Sequence, residues 1–118
     1  MENKEIIQQI ANACDDKRAE DIVALDMRDV SLMTDYFLIC HGSNERQVQA
    51  IARSIKDTME EKDILIQRLE GYEQARWILV DLGNIVCHVF HKEERSYYNL
   101  ERLWGDASKV EISVGNNG

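Results

Sequence analysis

The pattern of apolar positions along the chain predicts three helices and five strands. Apolar residues recur at helical spacing over residues 3–17 and between Val48 and Met59, and a third helix is predicted over 93–104. Short apolar or alternating runs predict strands over 21–27, 36–40, 64–70, 77–82 and 85–90. Because helices and strands interleave, we predict a single-domain α/β sandwich with a mixed sheet.

The last two strands are predicted to form a hairpin around Gly83-Asn84, a pair that suits a two-residue turn. This turn places Leu82 opposite Ile85 and Trp77 opposite Phe90. One face of the hairpin is then wholly apolar and is expected to be buried. The other face carries a mixture that a core alone does not need, namely Trp77, Asp81, His88 and Phe90. Asp81 and His88 are diagonal neighbours on it, so we expect a hydrogen-bonded pair that orients this surface.

The length of 118 residues predicts one folded domain, to which we assign residues 1–106. Residues 107–118 are expected to form a flexible tail, although the alternation of Val110, Ile112 and Val114 leaves an edge strand as the alternative. The chain starts without the basic and apolar blocks of a signal peptide, and no apolar run is long enough to cross a bilayer. We therefore expect a cytoplasmic protein.

The net charge of −8, from 22 acidic and 14 basic side chains, bears on the choice of partner. Nucleic acid is bound largely through Lys and Arg side chains that neutralise phosphates, so a direct nucleic-acid site is not expected. An acidic surface attracts basic proteins and selects among them. The charge therefore favours a basic protein partner.

The candidates for covalent or metal chemistry are Cys40, His41, Cys87, His88 and His91, and they fail on geometry. Cys87 and His91 share a face but lie about 13 Å apart along an extended strand. Neighbouring residues of a strand point to opposite faces, so neither Cys-His pair can hold one metal ion. Cysteines inside apolar strands are inert because burial disfavours the thiolate. We predict no metal, no cofactor and no enzymatic activity.

Gly42-Ser43 supports an alternative function, because it lies between a predicted central strand and a helix. Ser43 is the predicted N-cap of that helix, and the backbone N–H groups there are suited to bind an anion. A nucleotidyltransferase would also need paired acidic residues on a strand to hold Mg²⁺, and no predicted strand has them. A nucleotide-binding or transferase-like protein remains the alternative to a protein-binding module.

Aromatic and acidic residues are concentrated in the hairpin and the third helix, where they suit a protein contact that faces a basic partner. Trp77, Phe90 and Trp104 also fit a second core layer, and Glu94, Glu101 and Asp106 fit an acidic rim. The candidate partner-binding residues are Trp77, Asp81, His88, Tyr97, Tyr98, Glu101, Trp104 and Asp106.

Several blocks of the sequence resemble the ribosomal silencing factor (Iojap) family. They are TDYF (34–37), GSNERQ (42–47), WILVDLGN (77–84), HVF (88–90) and YYNLERLWGD (97–106). The resemblance implies a nucleotidyltransferase-like fold without transferase activity. It further implies a homodimer that binds the large ribosomal subunit through the fourteenth large-subunit ribosomal protein. Bound there, such a protein blocks subunit joining sterically and represses translation when nutrients are scarce.

Overall fold

The computed structural model describes the backbone of residues 2–98 and 105–114, and the side chains of the same residues except 96–98. In chain order the elements are α1 (Asn3–Asp16), β1 (Glu20–Asp26), β2 (Tyr36–Gly42), α2 (Glu45–Glu61), β3 (Arg68–Glu70), β4 (Trp77–Asp81), β5 (Ile85–His91), α3 (Lys92–Tyr98) and β6 (Ser108–Val110). Residues 99–104, which complete the predicted third helix, lie outside the described residues. In the described part of the chain, no helix has the length and apolar character needed to cross a membrane.

The six strands form one mixed sheet in the order β3-β4-β5-β2-β1-β6. The central pair, β2 and β5, is parallel, and the other neighbouring strands are antiparallel. This arrangement confirms the predicted single-domain α/β class, with one strand more than predicted.

The hairpin of β4 and β5 has the predicted register. Trp77 pairs with Phe90 and Asp81 with Val86, and the backbone N–H of Leu82 donates to the carbonyl of Ile85 at 2.9 Å. Gly83 has a φ of +96°, which glycine adopts at no steric cost. A Cβ at this position would meet only the end of the exposed, flexible Gln67 side chain, at 2.6 Å, so the backbone angle is what requires glycine.

One face of the sheet is covered by α1 and α2, which supply apolar side chains at helical spacing. Buried residues of this main core include Ile10, Leu38, Ile51, Ile78 and Val89. The three cysteines are free and buried there, as predicted for Cys40 and Cys87, and the sulfurs of Cys14 and Cys40 are 3.9 Å apart. Burial raises the pKa of the Cys87 thiol, which keeps it protonated and unreactive.

Two local predictions were wrong. The N-cap of α2 is Asn44, whose side chain accepts from the backbone N–H of Gln47 at 2.9 Å, and not Ser43. Both residue types cap well, and the extended backbone of Asn44 decides between them. The third strand begins at Arg68 and not at Ile64, because the sheet hydrogen bonds begin where the Gln67 N–H meets the Asp81 carbonyl at 2.8 Å.

The tail, expected to be flexible, contributes an edge strand instead. Residues of β6 pair antiparallel with β1, with Val110 opposite Ala24. The side-chain amide of Gln8 then holds the following segment, because it donates to the Ser113 carbonyl at 2.7 Å and accepts from the Ser113 N–H at 3.0 Å. The apolar alternation of the tail therefore reflects pairing and packing against the main core.

Candidate protein-docking site

The described residues cover the face of the sheet opposite α1 and α2 only in part. Leu25, Met27, Ile39 and Phe90 form a second, smaller core at one end of it. At the other end the strands line an open groove of about 580 Å³. The sequence alternates apolar and mixed positions along β4 and β5, and this alternation places the mixed set on the groove side.

The lining of this groove combines apolar and polar side chains. Phe37, Leu79 and Val86 line its sheet floor beside His88. Thr34 and Met33 of the loop before β2 also line it, as do Arg68 and Asp81 of β3 and β4. An apolar concavity with a few polar groups at its margin is typical of a binding site.

The loop between β1 and β2 exposes two large apolar side chains beside the groove. Leu32 and Met33 are 104% and 88% exposed, respectively. The loop has internal hydrogen bonds, from the Met27 N–H to the Asp35 carbonyl at 2.7 Å and from the Ser31 N–H to the Met27 carbonyl at 2.8 Å. Adjacent apolar side chains held in water next to an apolar groove are typical of a surface that contacts another protein.

His88 is held by Trp77 and not by Asp81. The indole Nε1 of Trp77 donates to Nδ1 of His88 at 3.0 Å. Burial lowers the pKa of His88 to about 4, and the negative charge of Asp81 opposes this shift only in part. Asp81 accepts instead from the Gly83 N–H at 2.8 Å and from Nε of Arg68 at 3.2 Å, so the predicted Asp81–His88 hydrogen bond is absent.

Two arginines fix the start of α3 against the sheet. Arg76 donates to Glu93 at 2.9 Å and to Glu94 at 3.0 Å. This contact lowers the pKa of Glu93, with His91 adding a smaller effect. Arg95 donates to the Asp21 carbonyl at 2.7 Å, which ties the helix to β1. Ion pairs and hydrogen bonds on both sides of α3 therefore hold this helix against the sheet.

The structure brings three of the predicted partner-binding residues together. Trp77 and Asp81 are partly buried and His88 is buried, and all three lie on the same face of the hairpin. Asp106 is exposed near the start of β6. Tyr97 and Tyr98 belong to α3, but their side chains lie outside the described residues, as do Glu101 and Trp104 entirely.

Sequence reasoning missed most of the apolar residues of the site. They are Leu32, Met33, Phe37, Leu79 and Val86. The predicted register of the hairpin did place Leu79, opposite His88, and Val86, opposite Asp81, on the mixed face. Leu32 and Met33 fall between the strands predicted over 21–27 and 36–40, in a stretch that we interpret from sequence as a polar connection. Two large apolar residues in such a connection were the signal that was overlooked.

The start of α2 does not present the anion site that the nucleotide-binding alternative requires. The Ser43 N–H donates to Oε1 of Gln47 at 2.6 Å. Nε2 of the same Gln47 donates to the carbonyls of Lys17 and Arg18 at 2.9 and 3.0 Å. A Cβ at Gly42 would meet Oε1 of Gln47 at 3.1 Å, so this glutamine fills the space where a phosphate would bind.

Comparisons with known proteins identify the family. The family described as ribosomal silencing factor during starvation matches residues 1–117. The chain is 61% identical to ribosomal silencing factor RsfS of Bacillus subtilis over 117 residues, 99% of each chain. It is 62% identical to the protein of the same name from Halalkalibacterium halodurans over 112 residues, which cover 95% of this chain and 96% of that protein. A crystal structure of protein CV0518 from Chromobacterium violaceum superposes with a TM-score of 0.87 at 34% identity, over 99% of this chain and 97% of that one. The chain therefore belongs to the ribosomal silencing factor family.

Proposed function

We propose that this protein is a non-enzymatic translational repressor that binds the large ribosomal subunit in the cytoplasm when nutrients are scarce. The proposed contact is a basic ribosomal protein, the fourteenth of the large subunit. The observation that carries the proposal is the apolar groove on the open face of the sheet, with Leu32 and Met33 exposed beside it. Membership of the family supports the role in ribosome silencing.

Charge supports a protein partner over ribosomal RNA. The net charge of −8 repels phosphates, whereas it attracts a basic protein and speeds the encounter. Burial of the groove floor then supplies the affinity, because apolar area removed from water stabilises a complex in proportion to its size. We propose that Trp77, Asp81 and His88 flank this contact.

Repression in this proposal is steric, because no bond is made or broken. The bound protein occupies the face of the large subunit that meets the small subunit, so the two cannot join. The fraction of silenced subunits then equals the fraction occupied, which depends only on affinity and on the protein's concentration. The remaining candidates, Tyr97, Tyr98, Glu101, Trp104 and Asp106, are proposed to extend the contact beyond the groove.

We also propose that the free protein is a homodimer in which the two copies cover the same apolar surface. Exposed apolar patches of this kind are commonly buried by self-association. Ribosome binding would then compete with the dimer.

The test is sedimentation of the purified protein with isolated large and small subunits, separately and mixed. We expect migration with the large subunit and fewer joined ribosomes as protein is added. Met33→Glu should weaken this binding about tenfold or more, because a charge would be buried at the contact. Its side chain is 88% exposed in the free protein, so the fold should be unchanged.

Leu65→Glu is the matched control, since Leu65 is also an exposed apolar residue, at 77%, but does not line the groove. It should bind as the wild type does. If Met33→Glu and Leu65→Glu bind equally well, the groove is not the contact. If the wild type does not sediment with the large subunit at moderate salt, the proposed function is wrong.

A further inference from the structure

Nε2 of His88 is a buried polar atom without a partner in the wall of the groove. Among the buried side-chain nitrogens and oxygens of the described residues, this atom alone makes no hydrogen bond. His88 is only 5% exposed. Buried polar groups are almost always paired in folded proteins, and leaving one unpaired costs about 1–3 kcal/mol. An unpaired atom at the edge of a binding groove therefore calls for a functional explanation.

The contacts of the other ring nitrogen establish what this atom is. The indole nitrogen of Trp77 can only donate, so Nδ1 of His88, at 3.0 Å from it, must be the acceptor. In a neutral imidazole the proton is then on Nε2. Burial favours that neutral form at physiological pH. The groove therefore contains an N–H donor that lacks an acceptor.

Among the described residues, the surroundings of His88 supply no acceptor for Nε2. The Phe37 ring lies 4.5 Å from the imidazole, centre to centre, and the Phe90 ring lies 6.3 Å away. The oxygens of Asp81 are hydrogen-bonded to Gly83 and Arg68. An acceptor must therefore come from a molecule that enters the groove.

We infer that the Nε2–H of His88 donates a hydrogen bond to a backbone carbonyl oxygen of the protein that docks in the groove. This inference rests on the proposed function, since the docked protein is the same ribosomal partner. A neutral carbonyl suits the site better than a carboxylate, because Asp81 places a negative charge nearby. The partly exposed Phe37 ring turns aside to admit it, and the apolar side chains of the docked segment cover Leu79 and Val86.

The hydrogen bond gives the contact a direction that apolar burial alone lacks. Hydrophobic contacts tolerate sliding, whereas an N–H donor accepts only a narrow range of distances and angles. Trp77 fixes the plane of the imidazole and the position of its proton, so the donor is oriented before the partner arrives. His88 is therefore the residue that sets the register of the partner, and Trp77 is a positioning residue that acts through it.

The test compares His88→Phe with His88→Gln in binding to isolated large subunits. His88→Phe removes the donor and keeps a flat ring of similar size, so the protein should remain folded and lose about tenfold in affinity. His88→Gln retains an N–H group near the position of Nε2 and should recover most of that loss. Thermal melting of all three proteins checks that folding does not explain the difference.

Nitrogen NMR of the histidine rings provides a readout that a structural role would not change. In the free protein His88 should carry its proton on Nε2, and Trp77→Phe should let the proton distribute over both nitrogens. Addition of the isolated fourteenth large-subunit protein should slow the exchange of the Nε2 proton with water. A proton found on Nδ1 of the free wild type would overturn the inference.

The binding results separate this inference from the proposed function. If Met33→Glu loses binding while His88→Phe binds as the wild type does, the groove is the contact and the inference is wrong. If both variants bind normally, the groove is not the contact, and the inference is wrong together with the proposed docking site. If His88→Phe changes only self-association of the free protein, the occupant that satisfies Nε2 is a second copy, which also overturns the inference.

Discussion

The two faces of the sheet can be compared directly, because the same strands supply both. Toward α1 and α2, Ile78 and Val80 of β4 are fully buried. Toward the groove, Trp77, Leu79 and Asp81 of the same strand remain partly exposed. Consecutive residues of one strand, which are about 3.4 Å apart along it, thus have different surroundings.

This difference separates stability from binding along a single strand. The side chains of β4 and β5 on the helix-covered face are apolar and removed from water, so they contribute mainly to the free energy of folding. The groove face retains an unpaired nitrogen, the charged side chains of Arg68 and Asp81, and partly exposed apolar side chains. Such a face contributes less to stability, and we expect its residues to contribute more to partner binding.

The largest expected effect comes from truncating neighbouring residues on the two faces. Ile78→Ala should lower the free energy of unfolding by about 2–5 kcal/mol, since it leaves a cavity in the main core. Leu79→Ala should cost about 1 kcal/mol, because its side chain is already partly exposed. Urea unfolding measures both values.

Large-subunit binding should show the opposite order under conditions in which both variants are folded. Leu79→Ala should bind weakly and Ile78→Ala should bind as the wild type does. Equal effects of the two variants on stability, or the reverse order in binding, would contradict the division between the faces.

The next largest effect is the pH dependence that His88 gives to stability. Its pKa is about 4 in the folded protein and about 6.5 when unfolded, so the unfolded state binds an extra proton between these values. Stability must therefore fall as the pH falls through this window, by about 2 kcal/mol between pH 7 and pH 5. Urea unfolding at the two pH values measures the loss.

His88→Phe is the control for this effect, because it cannot bind the proton. The fall in stability between pH 7 and pH 5 should be smaller in the variant by about 2 kcal/mol. If the two proteins respond alike to pH, His88 is not held neutral by burial.

The smallest effect concerns how the covering helix α2 begins. Asn44→Ala should lower stability by about 1 kcal/mol, because it removes the acceptor of the Gln47 N–H. Ser43→Ala should change stability by less than about 0.5 kcal/mol, since Gln47 bonds the Ser43 backbone and not its hydroxyl. A larger loss from Ser43→Ala than from Asn44→Ala would restore the assignment made from sequence.

Local signals in the sequence predicted the fold wherever neighbouring residues decide the structure. Gly83-Asn84 fixed the hairpin, because a two-residue turn leaves one register. The strict spacing of Val48, Ile51 and Ile55 located α2, because residues three and four positions apart lie on one face of a helix. The N-cap was misassigned by one residue because Ser43 and Asn44 are both good caps, and only the backbone angles distinguish them.

The candidate site depended on contacts that sequence spacing does not determine. Trp77 and Asp81 are both diagonal neighbours of His88, so spacing alone does not decide which of them bonds to it. Asp81 is already hydrogen-bonded to Gly83 and Arg68, and the imidazole therefore accepts from the indole of Trp77. The groove forms only because the loop that carries Leu32 and Met33 lies near β4, and no local sequence pattern predicts that placement. The pairing of β6 with β1 joins residues more than eighty positions apart, which is beyond the reach of periodicity.

That pairing has a consequence for biosynthesis. The order of the sheet places β6, the last strand made, against β1, the first, with Val110 opposite Ala24. While the chain is being translated, the outer edge of β1 stays open until residue 110 has left the ribosome, and unpaired strand edges are the usual starting points of aggregation. A premature stop or a proteolytic cut after residue 106 would remove β6 and leave this edge of β1 unpaired, so we expect the shortened product to aggregate more readily than the full chain.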